Sequence, residues 1–174
     1  MRAVLALIVL TAVAECATAQ AAPSDSLPYV PPTERYGVAW GDAPEAVVAR
    51  FGRAPDADGP EGTLTYVGRS GGQALFVFER GPGGTDRLAV TVDATPRFDS
   101  EAAAYAEYAR FKAALTELYG APVLDEEPRP EAPFTVDTVW EPDGLRAVEL
   151  TIEAVPEGGG EWAYFYVRVV GPAQ

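Results

Sequence analysis

The chain contains no histidine, which removes both the commonest metal ligand and the commonest acid-base group near neutral pH. Its single cysteine, Cys16, lies in an N-terminal segment with the marks of a cleaved leader. The remainder therefore has no disulfide, no thiolate metal site and no thiol nucleophile. Basic residues are scarce: thirteen against 26 acidic ones, with Lys112 the sole lysine and a formal net charge of −13. A chain this acidic is repelled by nucleic acid and by anionic lipid surfaces, so no nucleic-acid partner is expected. Long hydrophobic runs are also missing. Beyond the N-terminal segment no stretch approaches the roughly 20 apolar residues of a membrane-spanning helix, so no transmembrane segment is expected in the mature chain. Carboxylates, tyrosines and one lysine are what is left for catalysis, and no cofactor or metal is expected.

The N-terminus has Arg2, then an uncharged apolar run from Ala3 to Ala14, then Ala17-Thr18-Ala19. That is the order of a secretory signal peptide, with cleavage expected after Ala19. Glu15 precedes Cys16, where a lipid-attachment site would carry a small residue. Residues 1–19 thus read as a signal peptide and the protein as exported, either periplasmic or secreted. Residues 20–35 carry four prolines and little periodicity and read as a flexible leader. Residues 36–174 are long enough for one domain with its own core.

Within that domain, "WGDAPEAVVARFG" (40–52) predicts a short helix. Asp42 is its expected N-cap, Glu45 completes a capping-box-like pair, Val47, Val48 and Phe51 form its apolar side, and Gly52 ends it. Three β-rich runs follow, at 63–68, 73–80 and 86–94, separated by glycine clusters that signal hairpins. A second helix starts at Asp99 or Ser100. Ala104, Tyr108, Phe111, Leu115 and Leu118 recur along it at steps of four and three, which makes one apolar stripe, and Gly120 and Pro122 end it. After an acidic, proline-rich loop (125–133) come three more strand-like runs, at 134–141, 145–155 and 162–170. The expected fold class is α+β: two units of a helix plus a three-stranded antiparallel meander, as pseudo-repeats 36–97 and 98–172, with the helices on one sheet face.

In the run 145–155, Val148, Leu150 and Ile152 alternate with Glu149, Thr151 and Glu153, giving a dry face and a wet one. In the last run Phe165, Val167 and Val169 are expected in the core, which leaves Trp162, Tyr164, Tyr166 and Arg168 on the open side. With Tyr66 and Trp140 these residues form the candidate partner-binding set, since large flat side chains with one polar atom supply contact area at low entropic cost. The competing explanation is ordinary cross-strand packing, or cover from the leader through Tyr29 and Tyr36.

Three motifs resemble catalytic or metal sites. "GRSGG" (68–72) fits G-x-S-x-G, but without histidine its serine lacks a base and the run that follows is strand-like, so a hairpin turn is expected. "DADGPEG" (56–62) places Asp56, Asp58 and Glu61 near glycine, yet Pro60 and Val67 occupy positions where a calcium loop needs ligands. Glu149 and Glu153 share a strand face about 13 Å apart, beyond the about 5–9.5 Å of paired glycosidase carboxylates. No catalytic residue is assigned.

The segment Trp40-Gly41-Asp42-Ala43-Pro44-Glu45, followed by Val47 or Val48 and by Phe51-Gly52, resembles the opening of small exported α/β modules. These include the SmpA/OmlA-type outer-membrane assembly lipoproteins and the tandem-repeat β-lactamase inhibitory proteins. Leu118-Tyr119-Gly120-Ala121-Pro122 with "TVDTVWE" resembles a second pattern of exported proteins. The chain departs from these families at Ala43 and Pro44, where they carry a small hydroxyl residue, and it lacks the lipid-bearing cysteine and the inhibitors' disulfides. The resemblance implies an exported, non-catalytic binding module whose partner is another envelope or secreted protein. The alternative is a carboxylate-dependent hydrolase acting on a saccharide.

Overall fold

A computed structural model describes residues 29–56, 62–95, 98, 100–127, 134–157 and 160–173. Among the described residues three helices, α1 (Pro32–Tyr36), α2 (Pro44–Phe51) and α3 (Glu101–Tyr119), accompany seven strands. These are β1 (Thr63–Val67), β2 (Gln73–Arg80), β3 (Asp86–Ala94), β4 (Leu124–Asp125), β5 (Phe134–Trp140), β6 (Ala147–Glu157) and β7 (Gly160–Val170). All seven form one sheet in the order β1-β2-β3-β7-β6-β5-β4, and every pairing is antiparallel.

The α+β expectation of two helix-plus-meander units is corrected by this arrangement. The molecule is a single continuous sheet and is richer in strand than that reading allowed, with α1 and β4 as elements it did not include. The joint lies between β3 and β7, where Val90 pairs with Val170 and Ala94 with Tyr166. Each would otherwise expose a row of unpaired backbone groups, and pairing them satisfies both rows. The outer edges are short or covered. At β1, the Asp56 N–H donates to Thr65 O at 2.8 Å, and the Val67 N–H donates to the Asp56 carboxylate at 2.6 Å. At the other end β4 has only two residues.

A bulge in the β2–β3 pair sets which side chains reach the core. Val77 pairs with Val90, but the next residue, Phe78, pairs with Leu88. The extra residue, Ala89, lets Leu88 face the helices beside Phe78 while Val90 points the other way. Leu88 then bonds to the loop ahead of α2, accepting from Gly41 N–H at 3.0 Å and donating to Asp42 O at 2.8 Å. Asp42 does not cap α2 as expected. Its carboxylate accepts from the Ala39 N–H at 2.8 Å, and the N-cap position is Ala43.

Helix α3 begins at Ser100, whose hydroxyl accepts from the Ala103 N–H at 3.2 Å. Ala104, Tyr108 and Leu115 of its stripe are buried against Val148, Leu150, Ile152, Phe165 and Val167. Leu118 is 49% exposed and falls outside the core. Inside it, the Tyr108 hydroxyl meets the Thr138 hydroxyl at 2.8 Å, which satisfies two buried polar groups at once.

The expected flexible leader is corrected for its last residues. Pro32 of α1 is buried, and Tyr29 packs edge-on against Phe111 with ring centroids 6.3 Å apart. The folded part therefore starts before Tyr36. Residues 1–19, expected to be a signal peptide, lie outside the described residues.

Candidate functional site

The three helices pack on one face of the sheet, and two surfaces follow from that: the helix-free face, and a cleft on the helix side.

The helix-free face is built by strand alternation. Glu153 stands opposite Tyr164, Thr151 opposite Tyr166, and Glu149 opposite Arg168. These pairs interact across the strands. The Tyr164 hydroxyl donates to Glu153, and Arg168 Nη1 reaches both Glu149 oxygens at 2.7 and 2.9 Å. The Thr151 hydroxyl donates to Asp137 at 2.6 Å. Burial raises the Tyr166 hydroxyl above its ordinary pKa, and the surrounding carboxylates Glu153, Asp137 and Glu149 push the same way. Beside these polar rungs lies an apolar strip of Val77, Val90, Val92, Ala147 and Val170.

The expected partner-binding set is thereby divided. Tyr164, Tyr166 and Arg168 share the helix-free face, partly exposed. Tyr66 and Trp140 do not belong to it: they are 2% and 0% exposed and face the helices. Tyr66 stacks on Phe51 with centroids 3.7 Å apart, and the Trp140 indole N–H donates to Gly120 O at 3.0 Å. The side chain of Trp162 lies outside the described residues. The leader tyrosines cover the helix side, as Tyr36 packs against Phe51 and Phe76.

The cleft of about 320 Å³ opens where the covers of the two halves of the sheet meet. Five rings line it: Tyr36, Phe51 and Tyr66 from one half, Phe111 and Phe165 from the other. Asp93 is its floor. The Tyr36 hydroxyl donates to Asp93 Oδ1 at 2.5 Å, and Arg35 Nη1 lies 3.5 Å from Oδ2. Burial holds the Asp93 carboxyl above its ordinary value, against the opposing pull of the Tyr36 hydrogen bond and the Arg35 charge. Burial likewise raises the Tyr36 hydroxyl, with Asp93 adding to the shift.

The rim carries the hairpin turn that the G-x-S-x-G pattern marked. The Gly68 N–H donates to Gly72 O at 2.8 Å, Gly71 has φ 85°, and Ser70 sits on the lining. Only glycine adopts that φ freely, so the motif is turn chemistry. Arg53 closes the near wall. It lies over the Tyr66 ring at 5.1 Å, bonds to Asp56 and donates to Val67 O at 3.1 Å. The arginine, first, and the Val67 N–H hold the Asp56 carboxyl below its ordinary value. Asp56 is thus a structural brace, while Asp58 and Glu61 lie outside the described residues.

Sequence reasoning missed this cleft because β3 runs against its own pattern. Val90 and Val92 look like the dry series, yet Thr91 and Asp93 are the ones that face the helices. The available signal was the consecutive apolar run Leu88-Ala89-Val90, which strict alternation does not accommodate without a bulge.

Among the described residues the cleft is lined by one carboxylate, Asp93. Glu149 and Glu153, on the opposite face, are each engaged by a separate partner. The cleft therefore lacks, among the described residues, the second carboxylate that saccharide hydrolysis needs. No group of three metal-ligating side chains occurs among the described residues, and no helix among them is long and apolar enough to cross a membrane. Compared with protein-family models, curated proteins and solved structures, the chain matches none. The resemblance to the exported modules named above rests on its short motif alone.

Proposed function

We propose that the protein is an exported, non-catalytic binding module that meets another envelope or secreted protein through the helix-free sheet face. The observation that carries this reading is the placement of the partly exposed Tyr164, Tyr166 and Arg168 on that face beside the half-buried Val77 and Val92, with Val90 and Val170 buried between neighbours at 4% and 7% exposure and no helix packed over them among the described residues. The side chains are held by cross-strand bonds, so little rotamer freedom is lost on contact. Asp137, Glu149 and Glu153 outnumber Arg168 there, which favours a partner with an apolar centre and a basic rim.

The test uses the exported chain as bait in its own envelope fraction. The N-terminal residue of the recovered protein is expected to be Gln20. Replacing Tyr164→Ser and Tyr166→Ser together is expected to reduce recovery of the specific partner at least tenfold while far-UV dichroism and the thermal midpoint stay near wild type. Unchanged recovery by the folded double variant removes this face from the function.

A further inference from the structure

We propose that the cleft on the helix side is a second, separate binding site, whose ligand is a small organic anion: a carboxylate carried on a flat aromatic body. The walls select the body. The half-buried rings of Tyr36 and Phe51 on one side and of Phe111 on the other face a space of about 320 Å³, while Tyr66 and Phe165, 2% and 0% exposed, offer it almost no ring surface; that volume is the low end of the about 300–1,000 Å³ of small-molecule pockets. That suits one or two fused rings, which stack or meet edge-on with such walls.

The charged groups select the sign. A cation finds a single carboxylate in the lining, Asp93, already engaged by Tyr36 and Arg35, and it would enter between two guanidiniums. An anion would share Arg35 with Asp93. Arg53 is committed to Asp56 and Val67 O. Arg35 is not saturated: its ion pair to Asp93 spans 3.5 Å and its side chain is 38% exposed. A guanidinium has five donors in a planar fork that matches a carboxylate edge-on, so Arg35 is the receptor for the anionic end. A neutral ring compound gains the walls and forgoes that fork. With the chain at −13, long-range forces repel an approaching anion, but screening confines them to about 8 Å at physiological salt. Recognition therefore rests on contact inside the cleft.

Isothermal titration of the full chain with three probes of one shape tests this: 2-naphthoate, 2-naphthylmethanol and 2-naphthylmethylammonium. The expected result is saturable 1:1 binding of 2-naphthoate, at least tenfold tighter than either other probe. Arg35→Gln is expected to weaken 2-naphthoate at least tenfold and the alcohol less than twofold. Ser70→Trp, at an exposed turn position on the lining, is expected to obstruct the mouth and weaken both. Should Arg35→Gln fail to fold, the probe series and Ser70→Trp decide the matter. Absence of saturable 2-naphthoate binding, equal or tighter binding of the alcohol or the ammonium, or indifference to Ser70→Trp overturns the assignment. The Tyr164→Ser/Tyr166→Ser variant is expected to bind 2-naphthoate as wild type does, so failure of the sheet-face reading and failure of this one are separate outcomes.

Discussion

The cover over β1–β3 is α2, eight residues long, whereas the cover over β5–β7 is α3, with nineteen. At 1.5 Å per residue these helices span about 12 Å and about 28 Å. The two halves compensate differently. Under α3 most fully buried side chains are aliphatic, Val136, Val148, Leu150 and Ile152 among them, with the rings of Tyr108, Trp140 and Phe165 set between them. Under α2 much of the volume is taken by rings, Phe51 stacked on Tyr66 and Tyr36, with Phe76 edge-on to all three. A short helix cannot seal its half with aliphatic side chains. Flat rings and the residues of α1 fill in, and the seam between the two covers is left as the cleft.

The helix exits differ in the same sense. Gly52 leaves α2 in the left-handed region, φ 63° and ψ 17°, while Gly120 leaves α3 at φ 86° and ψ −163°. The second conformation is open essentially to glycine alone, and there the Gly120 carbonyl receives the Trp140 indole N–H.

The largest effect that probes this contrast is a pair of truncations. Trp140→Ala, in the well-sealed half, is expected to cost about 3–5 kcal/mol, and Phe51→Ala, in the half-buried ring stack, about 2 kcal/mol, both read from urea unfolding. Equal costs would erase the difference in sealing. Next comes the tie between the halves. Trp40 packs against both cores, and a Cβ at Gly171 would stand 2.6 Å from Trp40 Cε3 and 3.2 Å from Ala89 O. Gly171→Ala is expected to cost about 1–3 kcal/mol by overpacking. Part of that loss should return in a Trp40→Leu background; full additivity in the double-mutant cycle would mean that the two residues do not share the space.

The smallest expected effect is on pH dependence. The Asp93 pKa is raised in the folded state, so its contribution is complete below its unfolded value and fades as pH rises through the folded one. The Asp56 pKa is lowered, so its contribution is present above the unfolded value and fades as pH falls through the folded one. Asp93→Asn removes the first and keeps the second. The loss of stability on acidification from neutral pH should then be steeper than in wild type, measured as urea midpoints across a pH series. An unchanged slope would mean that Asp93 titrates alike in the folded and unfolded chain.

The strands were legible where period two was unambiguous. Val148, Leu150 and Ile152 are each 0% exposed, and the Phe165, Val167 and Val169 series faces the helices beside them. Ser100 and the Ala104–Leu115 part of the stripe were likewise readable, because capping and a 3.6-residue period are local properties. Tyr66 and Trp140 were misplaced because a hydroxyl or an indole N–H suggests a wet position. Here the rings are sealed by Phe51 in one case and by the α3 exit in the other, and the indole finds a carbonyl indoors. Of the expected partner-binding set, alternation alone placed Tyr164, Tyr166 and Arg168 on the helix-free face, and nothing local pointed to the cleft.

By itself the amino-acid order determined the chemistry that is missing, the hairpin turns, the two longer helices and most strand limits, since each depends on neighbours within a few residues. The folded chain alone decided that β3 would join β7, that a bulge at Ala89 would turn Asp93 toward the helices, and that unequal covers would leave a cleft between them. Those outcomes depend on partners far along the chain, and a shift of one residue in register exchanges the two faces of a strand without altering anything local.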